Sequence, residues 1–275
     1  MESAGAVVKT RGGGRGLGRR LGRGLRRAGR IVLDLLYPPV CLGCEAALAD
    51  PDALCATCFR QLRPITPPFC PVLGIPFEAD LGAGMRSAEA MADPPPFARA
   101  RAAVLYNGMA RRIVGQLKYG DRPELARFCA RLMAAAGSEI LGEDAVLVPV
   151  PLHRRRRLGR RYNQSAELAR AVGALTGVAV APGLLRRTRP TRQQVGLTAQ
   201  ARQRNVAGAF AVDAGAMNRL RGRRVVLVDD VVTTGATVKA ATRALKRAGV
   251  ARVDVLSFAR VVIGADGPEA ADLSP

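Results

Sequence analysis

One stretch, Arg224 to Val238, constrains the fold of this chain more than any other part of the sequence. It begins with four aliphatic residues, Val225 to Val228, which are typical of a buried parallel strand because no polar residue alternates with them. Two carboxylates, Asp229 and Asp230, follow at the carboxyl end of that strand. A Thr-Thr-Gly turn then leads into a segment with helical periodicity. The predicted apolar face of this helix comprises Ala241, Leu245 and Ala248, and Gly249 is its predicted C-cap.

This order of strand, acid pair, turn and helix predicts a binding site for an anion such as a phosphate. The N-terminus of a helix offers backbone N–H groups and the positive end of a dipole, and a glycine lets the backbone approach a phosphate closely. The two carboxylates can accept hydrogen bonds from a pair of sugar hydroxyls or hold hydrated Mg²⁺. An ordinary strand-to-helix turn with an N-cap aspartate would explain one acid and the glycine, but not two acids and three threonines. The predicted binding residues are Asp229, Asp230, Thr233, Thr234, Gly235, Ala236 and Thr237.

The same stretch resembles, along its whole length, the phosphoribosyl-pyrophosphate (PRPP) motif of type I phosphoribosyltransferases. A P-loop is excluded because no Gly-Lys-Ser/Thr follows the strand, and no G-x-G-x-x-G is present there. The resemblance implies that Asp229 and Asp230 hold the two ribose hydroxyls and that the turn wraps the 5-phosphate. It also implies that Mg²⁺ accompanies PRPP.

Composition sets further limits on the protein. At 275 residues the chain is long enough for one good-sized domain and a small one. No apolar run approaches the ~18 residues that a membrane span needs, and no cleavage site follows the basic N-terminus, so we predict a cytoplasmic protein without a transmembrane segment. The net charge of +21 indicates polyanionic partners, although a coding bias toward Arg, Ala and Gly would produce the same composition. An aromatic content of 4% without Trp disfavours binding by base stacking.

Two Cys-x2-Cys pairs near the N-terminus predict a structural zinc site. Cys41, Cys44, Cys55 and Cys58 can close a tetrahedral Zn²⁺ site, and a reducing compartment favours metal over disulfides. Four cysteines leave no open coordination position, so we do not expect a catalytic zinc. Cys70 stands alone in Pro-Pro-Phe-Cys-Pro. It is either a spare thiol in the remnant of a second knuckle or a substitute ligand.

Changes in composition along the chain predict five regions. Residues 1–36 form a basic, disordered tail with a leading helix, residues 37–80 a zinc-ribbon-like domain, and residues 81–98 a linker or an ordered crossing. Residues 99–262 form the larger domain, and residues 263–275 an acidic C-terminal tail. Within the larger domain, hydrophobic patterns predict strands at 102–106, 145–150, 209–212 and 252–261, and helices at 110–118 and 124–141. A further helix, with Leu168, Val172 and Leu175, begins at the predicted N-cap Asn163.

Two basic loops are placed to complete the site. The strand at 145–150 opens into the predicted pyrophosphate loop, since ligands of open α/β sheets bind at such carboxyl ends; a run of charge is more often only a solvated face. The long polar segment between Arg186 and Phe210 is predicted as a flap that excludes water, with a plain linker as the alternative. Lys118 is either a phosphate contact or a solvated lysine at a helix end. The pyrophosphate-loop residues are Pro151, Leu152, His153, Arg154 and Arg155, and the flap residues are Thr191, Gln194 and Arg202.

Taken together, the motifs resemble the ComF family, whose members join an N-terminal zinc ribbon to a type I phosphoribosyltransferase domain and are linked in some bacteria to DNA uptake. The motifs are the Cys pairs, V-P-V-P-L-H-R-R-R, Y-N-Q-S, T-R-Q-Q-V-G-L-T and V-V-L-V-D-D-V-V-T-T-G-A-T. The resemblance implies an α/β fold with a parallel sheet, helices on both of its faces and a small zinc-ribbon domain before it. Two departures stand out. The second knuckle expected around Cys70 lacks a cysteine, so one zinc is predicted, and Arg161-Tyr162 replaces the usual Gly-Phe before Asn163.

Two functions from different classes follow as hypotheses. The first is an enzyme that transfers the phosphoribosyl group of PRPP, with Mg²⁺, to an unknown acceptor. The second is a non-catalytic DNA-handling protein, in which the scaffold, the zinc ribbon and the basic loops bind single-stranded DNA or partners from the competence machinery. The charge favours the second hypothesis, and the acid pair with its turn favours the first.

Overall fold

The computed structural model describes residues 38–80, 82, 84–119, 122–152, 163–189, 206, 208–217, 220 and 222–262. Both predicted tails lie outside this part of the chain, and so do His153, Arg154 and Arg155 of the pyrophosphate loop and the flap residues Thr191, Gln194 and Arg202. None of the described helices is both long enough and apolar enough to cross a membrane. The boundaries of the five regions stay predictions.

A five-stranded parallel sheet organises the structure, as predicted. Its strands are β1 (Ala100–Leu105), β2 (Ala145–Pro149), β3 (Ala179–Val180), β6 (Arg224–Val232) and β7 (Val253–Arg260), and a separate antiparallel pair consists of β4 (Leu185–Arg187) and β5 (Phe210–Val212). The strand order in the sheet is β1-β7-β6-β2-β3, so β6 is central and pairs in parallel with both β2 and β7. A central parallel strand is buried on both faces, which explains its unbroken aliphatic run.

Helices cover both faces of the sheet because the strands are apolar on both sides. The described helices are α1 (Ala56–Arg60), α2 (Ala88–Ala92), α3 (Gly108–Tyr119), α4 (Pro123–Ala136), α5 (Gln164–Thr176), α6 (Ala214–Met217) and α7 (Ala236–Arg247). Val226 and Val228 of β6 share one hydrophobic core with α3, α4 and α5. Val225 and Leu227 share a second core with α7 and the β4–β5 pair. The alternation of side chains along a strand therefore divides β6 between the two cores.

The zinc-ribbon region covers the edge of the sheet at β1. Pro64 forms an antiparallel bridge with Val104. The Ile65 N–H donates to the Ala103 carbonyl at 3.0 Å, and the Leu105 N–H donates to the Arg63 carbonyl at 2.8 Å. An exposed strand edge invites pairing with other chains, so this short segment protects β1 from such pairing.

Some elements differ in extent from the predictions. β6 continues through the acid pair to Val232 because it stays paired with β7 along that whole length. α4 ends at Ala136, and a 3-10 turn, Ser138–Ile140, occupies the rest of the predicted helix. Leu175 and Ala248 were predicted on apolar faces but are exposed; Leu175 is in the last turn of α5, and Ala248 directly follows α7.

Candidate functional site

The two carboxylates of the predicted ribose site lie in the last part of β6, at the edge where parallel sheets bind ligands. Both side chains are partly buried. Oδ1 of Asp229 accepts hydrogen bonds from Oγ of Ser165 and from the Asp230 N–H, each at 3.0 Å. Oδ1 of Asp230 accepts a hydrogen bond from the Val231 N–H at 2.8 Å. These donors fix one oxygen of each carboxylate, so the geometry of the pair is set before any ligand arrives.

The carboxyl group of Asp229 has a raised pKa. Burial, and after it the neighbouring charge of Asp230, raises the pKa of Asp229 to about 8, although the hydrogen bond from Ser165 favours the ionised form. Adjacent carboxylates in one crevice resist double ionisation, so the charge of Asp230 favours the protonated form of Asp229. Cations or hydrogen-bond donors of a ligand would favour the fully ionised pair.

Lys118 lies against this acid pair. Its Nζ is 3.4 Å from Oδ2 of Asp230, and the residue belongs to the last turn of α3. The side chain is 29% exposed, which distinguishes it from a fully solvated lysine at a helix end. The ammonium group offsets the charge of Asp230 and borders the predicted ribose site. A contact between Lys118 and a phosphate stays a prediction.

Three consecutive polar residues at the start of α5 make hydrogen bonds around the acid pair. Asn163 is the N-cap of α5, as predicted: its Oδ1 accepts from the Ser165 N–H at 3.2 Å, and its Nδ2 donates to the Val150 carbonyl at 3.1 Å. Nε2 of Gln164 donates to the Lys118 carbonyl at 3.4 Å. Gln164 and Ser165 are buried, and neither was predicted as a site residue. In the sequence, their only sign is a run of polar residues at the start of an otherwise apolar helix.

Residues 233–235 form the turn from β6 into α7, and Ala236 and Thr237 are the first two residues of the helix. Gly235 is the N-cap of α7, with a left-handed φ of 73° that glycine adopts without strain. Among the described residues, no side chain makes a capping hydrogen bond at this helix start, which is the kind of position where anions bind. Oγ1 of Thr234 is buried and has no hydrogen-bond partner within the described residues. An uncapped helix start beside an unsatisfied hydroxyl fits a ligand that supplies acceptor oxygens, such as a phosphate.

The predicted pyrophosphate loop starts beside the acid pair. The Val150 N–H donates to the Val228 carbonyl at 2.9 Å, so the chain leaves the sheet immediately next to β6. Pro151 and Leu152, the first two residues of the loop, are both partly buried. The start of the loop is thus at the same edge of the sheet as the carboxylates, and its contact with pyrophosphate stays a prediction.

The four predicted zinc ligands converge in the N-terminal part of the described chain. The sulfur atoms of Cys41, Cys44, Cys55 and Cys58 all lie within 4.8 Å of one another. A tetrahedral zinc site places its sulfurs about 3.8 Å apart, given Zn–S bonds of about 2.3 Å. The sulfurs of Cys44 and Cys55 are 3.7 Å apart, in agreement with such a site.

Backbone groups prepare this cluster for a cation. Burial disfavours the thiolate of Cys41, but N–H groups of Cys55, Cys44 and Gly43 donate to its sulfur and lower the pKa of Cys41 to about 6. Burial, together with hydrogen bonds to the other three thiols and the charge of Cys41, raises the pKa of Cys58. Four thiols in one cluster therefore need a bound cation to ionise together, and Zn²⁺ supplies that charge.

Comparison with known proteins bears on both sites. A family model described as a double zinc ribbon domain matches residues 32–90, and one described as a phosphoribosyl transferase domain matches residues 175–272. The DNA utilization protein YhgH of Salmonella typhimurium is 32% identical over 235 residues, which cover 83% of this chain and 100% of that protein. Competence protein F of Haemophilus influenzae is 31% identical over 153 residues, or 54% of this chain and 66% of that protein. Competence protein ComFC of Bacillus subtilis is 26% identical over 245 residues, or 81% of this chain and 95% of that protein.

The chain belongs to the ComF family. As in the fold predicted from that resemblance, this ComF chain combines a zinc ribbon with a phosphoribosyltransferase-type domain built on a parallel sheet. The zinc ribbon model and the four converging sulfurs together identify a zinc-binding site at Cys41, Cys44, Cys55 and Cys58. Since all four ligands are cysteines and no coordination position is left open, the zinc of this ComF chain is structural.

Proposed function

We propose that this protein binds PRPP with Mg²⁺ at the carboxyl end of β6 and transfers its phosphoribosyl group to an acceptor. One observation carries the proposal. A fixed acid pair, Asp229 and Asp230, stands next to an uncapped helix start that holds the unsatisfied hydroxyl of Thr234. Carboxylates suit sugar hydroxyls and an uncapped helix start suits a phosphate, so the two parts together fit a phosphorylated ribose.

The residues would divide the work between binding and charge stabilisation. Asp229 and Asp230 accept from the ribose hydroxyls, and the turn around Gly235 holds the 5-phosphate through backbone donors. Mg²⁺ would neutralise charge on the pyrophosphate and could be held by the same carboxylates. In the transfer, the bond from the anomeric carbon to pyrophosphate breaks with its electron pair on the leaving oxygen. The lone pair of the acceptor forms the new bond, so positioning matters more than proton transfer by the protein.

The test is PRPP binding by an acid-pair variant. Asp229→Asn with Asp230→Asn keeps the shapes of both side chains and removes their charge, so we expect calorimetry to show no binding of PRPP with Mg²⁺ while circular dichroism stays unchanged. Asp50→Asn with Asp80→Asn is the matched control, because it changes the net charge equally at exposed positions of the ribbon region. Equal PRPP affinity in the acid-pair variant and in the wild type would overturn the proposal.

A second function, DNA handling, is favoured by a different observation. The relatives carry the names DNA utilization protein and competence protein. In this chain, Arg243, Lys246 and Arg247 of α7 are exposed, and so are Arg223 before β6 and Arg252 before β7. All but Arg243 lie at the amino ends of the central strands or in the last turn of α7, opposite the acid pair. We propose that this basic surface binds the backbone of single-stranded DNA or of another acidic partner.

The two functions are separable because the basic residues other than Arg243 lie at the end of the sheet opposite the acid pair. Changing Arg243, Lys246 and Arg247 to Gln should weaken binding of a single-stranded oligonucleotide. The slope of log K against log salt concentration should become shallower by roughly 0.7 for each phosphate contact that is lost. PRPP binding should persist in that variant. An unchanged salt slope would contradict DNA binding at this surface, and so would binding that is insensitive to salt in the wild type. A cytoplasmic location stays a prediction.

A further inference from the structure

The chain contains a second segment with the backbone of a zinc knuckle. A family model described as double implies a second metal site within residues 32–90, whereas the zinc site described above ends at Cys58. An isolated antiparallel bridge between Phe69 and Pro76 encloses Cys70. In the first knuckle, the bridge Val40–Ala47 encloses Cys41 in the same way. A five-residue helix follows each hairpin, α1 in the first knuckle and α2 in the second.

The two hairpins have equivalent backbone hydrogen bonds. The N–H of each cysteine donates across its hairpin, at 2.8 Å for Cys41 and 2.7 Å for Cys70. Four residues later, the N–H groups of Glu45 and Gly74 donate back to the cysteine carbonyls at 2.9 and 2.8 Å. Glu45 and Gly74 both have a left-handed backbone, with φ values of 63° and 65°. The turn that positions a metal-binding sulfur in the first knuckle is therefore repeated in the second.

The sulfur of Cys70 has the surroundings of a zinc ligand. Three backbone N–H groups approach each sulfur: two come from residues two and three positions after the cysteine, and one comes from the N-cap residue of the following helix. The N-cap donor lies 3.1 Å from the sulfur in the first knuckle and 3.4 Å from it in the second. The donors are Gly43, Cys44 and Cys55 for Cys41, and Val72, Leu73 and Ser87 for Cys70.

This correspondence assigns the other three ligand positions. Leu73 takes the position of Cys44, three residues after the first cysteine, and is 3% exposed. Ser87 takes the position of Cys55 as the helix N-cap, and its Oγ accepts from the Ala90 N–H at 3.4 Å. Ala90, which is 2% exposed, takes the position of Cys58. Leucine and alanine carry no ligand atom, so the residues present do not fit a second zinc ion.

We infer that the segment from Pro68 to Asp93 is a second zinc knuckle that keeps its fold without a metal. Hydrophobic packing replaces the ion: Leu73 and Ala90 belong to the same core as Val225 and Leu227 of the sheet. A small metal domain needs its ion when it has no core of its own. This knuckle shares the core of the larger domain, so hydrophobic packing stabilises it without a metal ion.

Restoring the missing ligands tests the inference. The full-length variant Leu73→Cys, Ser87→Cys, Ala90→Cys should bind two Zn²⁺ per chain against one in the wild type, measured by metal analysis after purification with zinc. Its Co²⁺ form should show about twice the thiolate-to-metal absorption of the wild type. Adding Cys70→Ala to the triple variant is the matched control, because it removes one of the four thiols. That control should contain one Zn²⁺ per chain, as the wild type does.

A measurement on the natural cysteines keeps the inference testable if the triple variant does not fold. Cys70→Ala should leave the zinc content at one per chain, whereas Cys41→Ala should abolish it. Two zinc ions in the wild type, or loss of zinc from Cys70→Ala, would overturn the inference. A folded triple variant that still holds one zinc would overturn it as well.

Discussion

Replacing Asp229 by Asn should change how the stability of the protein depends on pH. In the folded chain the pKa of Asp229 is raised from 3.8 to about 8, chiefly by burial and then by the charge of Asp230. Between these two values the folded protein keeps a proton that the unfolded chain releases. The free energy of unfolding of the wild type therefore contains a component that falls as pH rises through this window. Asparagine does not titrate, so the variant lacks that component.

The size of the effect follows from one proton. A full difference of one bound proton changes the free energy of unfolding by about 1.4 kcal/mol per pH unit, so the limit between about pH 5 and pH 7 is about 2.7 kcal/mol. Asp229 is only partly buried, and solvent screens the pair, so we expect roughly half of this limit. The Asn side chain can still accept the hydrogen bonds from Ser165 and the Asp230 N–H. Relative to the wild type, the variant should thus gain about 1 to 1.5 kcal/mol over the two pH units.

The assay is denaturant unfolding of the zinc-loaded, full-length protein at a series of pH values. The chain contains no Trp, so unfolding is followed by far-ultraviolet circular dichroism. Asp50→Asn serves as the control for the loss of one negative charge, because Asp50 is exposed. Its difference from the wild type should stay constant with pH. If the Asp229→Asn difference is equally flat, the reasoning about burial of the acid pair is wrong.

Three further predictions concern the turn, the serine and the zinc. Gly235→Ala should destabilise the protein by about 1 kcal/mol in thermal unfolding because φ at this position is 73°, and Gly235→Asn should cost less, since asparagine tolerates this conformation. Ser165→Ala removes a hydrogen bond that favours the ionised form of Asp229, so the pKa of that carboxyl, followed by NMR of its carbon, should rise further; an unchanged titration would contradict the assigned contact. Cys44→Ser should abolish zinc binding, whereas Cys129→Ser, buried in the core away from the four thiols, should retain the metal.

Local patterns in the sequence predicted those parts of the structure that depend on local physics. The run of aliphatic residues before Asp229 predicted the central strand, because a strand buried on both faces needs apolar side chains throughout. The spacing of the Cys pairs predicted the zinc site, because each pair can supply two ligands to one tetrahedral ion. The contact between Lys118 and Asp230 could not be predicted in this way, since it joins positions 118 and 230 of the chain. The same holds for Ser165, whose hydroxyl reaches Asp229 only once α5 packs beside β6. Long-range partners of this kind follow from topology, not from local patterns.

The two knuckles support the candidate site from opposite faces of the sheet. The metal-bearing knuckle packs in one core with α3, the helix that carries Lys118, and Nη1 of Arg112 on that helix donates to the Gly43 carbonyl at 3.3 Å. The metal-free knuckle contacts α7 on the other side, where Nζ of Lys239 lies 2.8 Å from a carboxylate oxygen of Asp93. Lys239 lies in the first turn of α7, which directly follows the N-cap Gly235. The first knuckle thus packs against the helix that carries Lys118, and the second contacts the helix that follows Gly235.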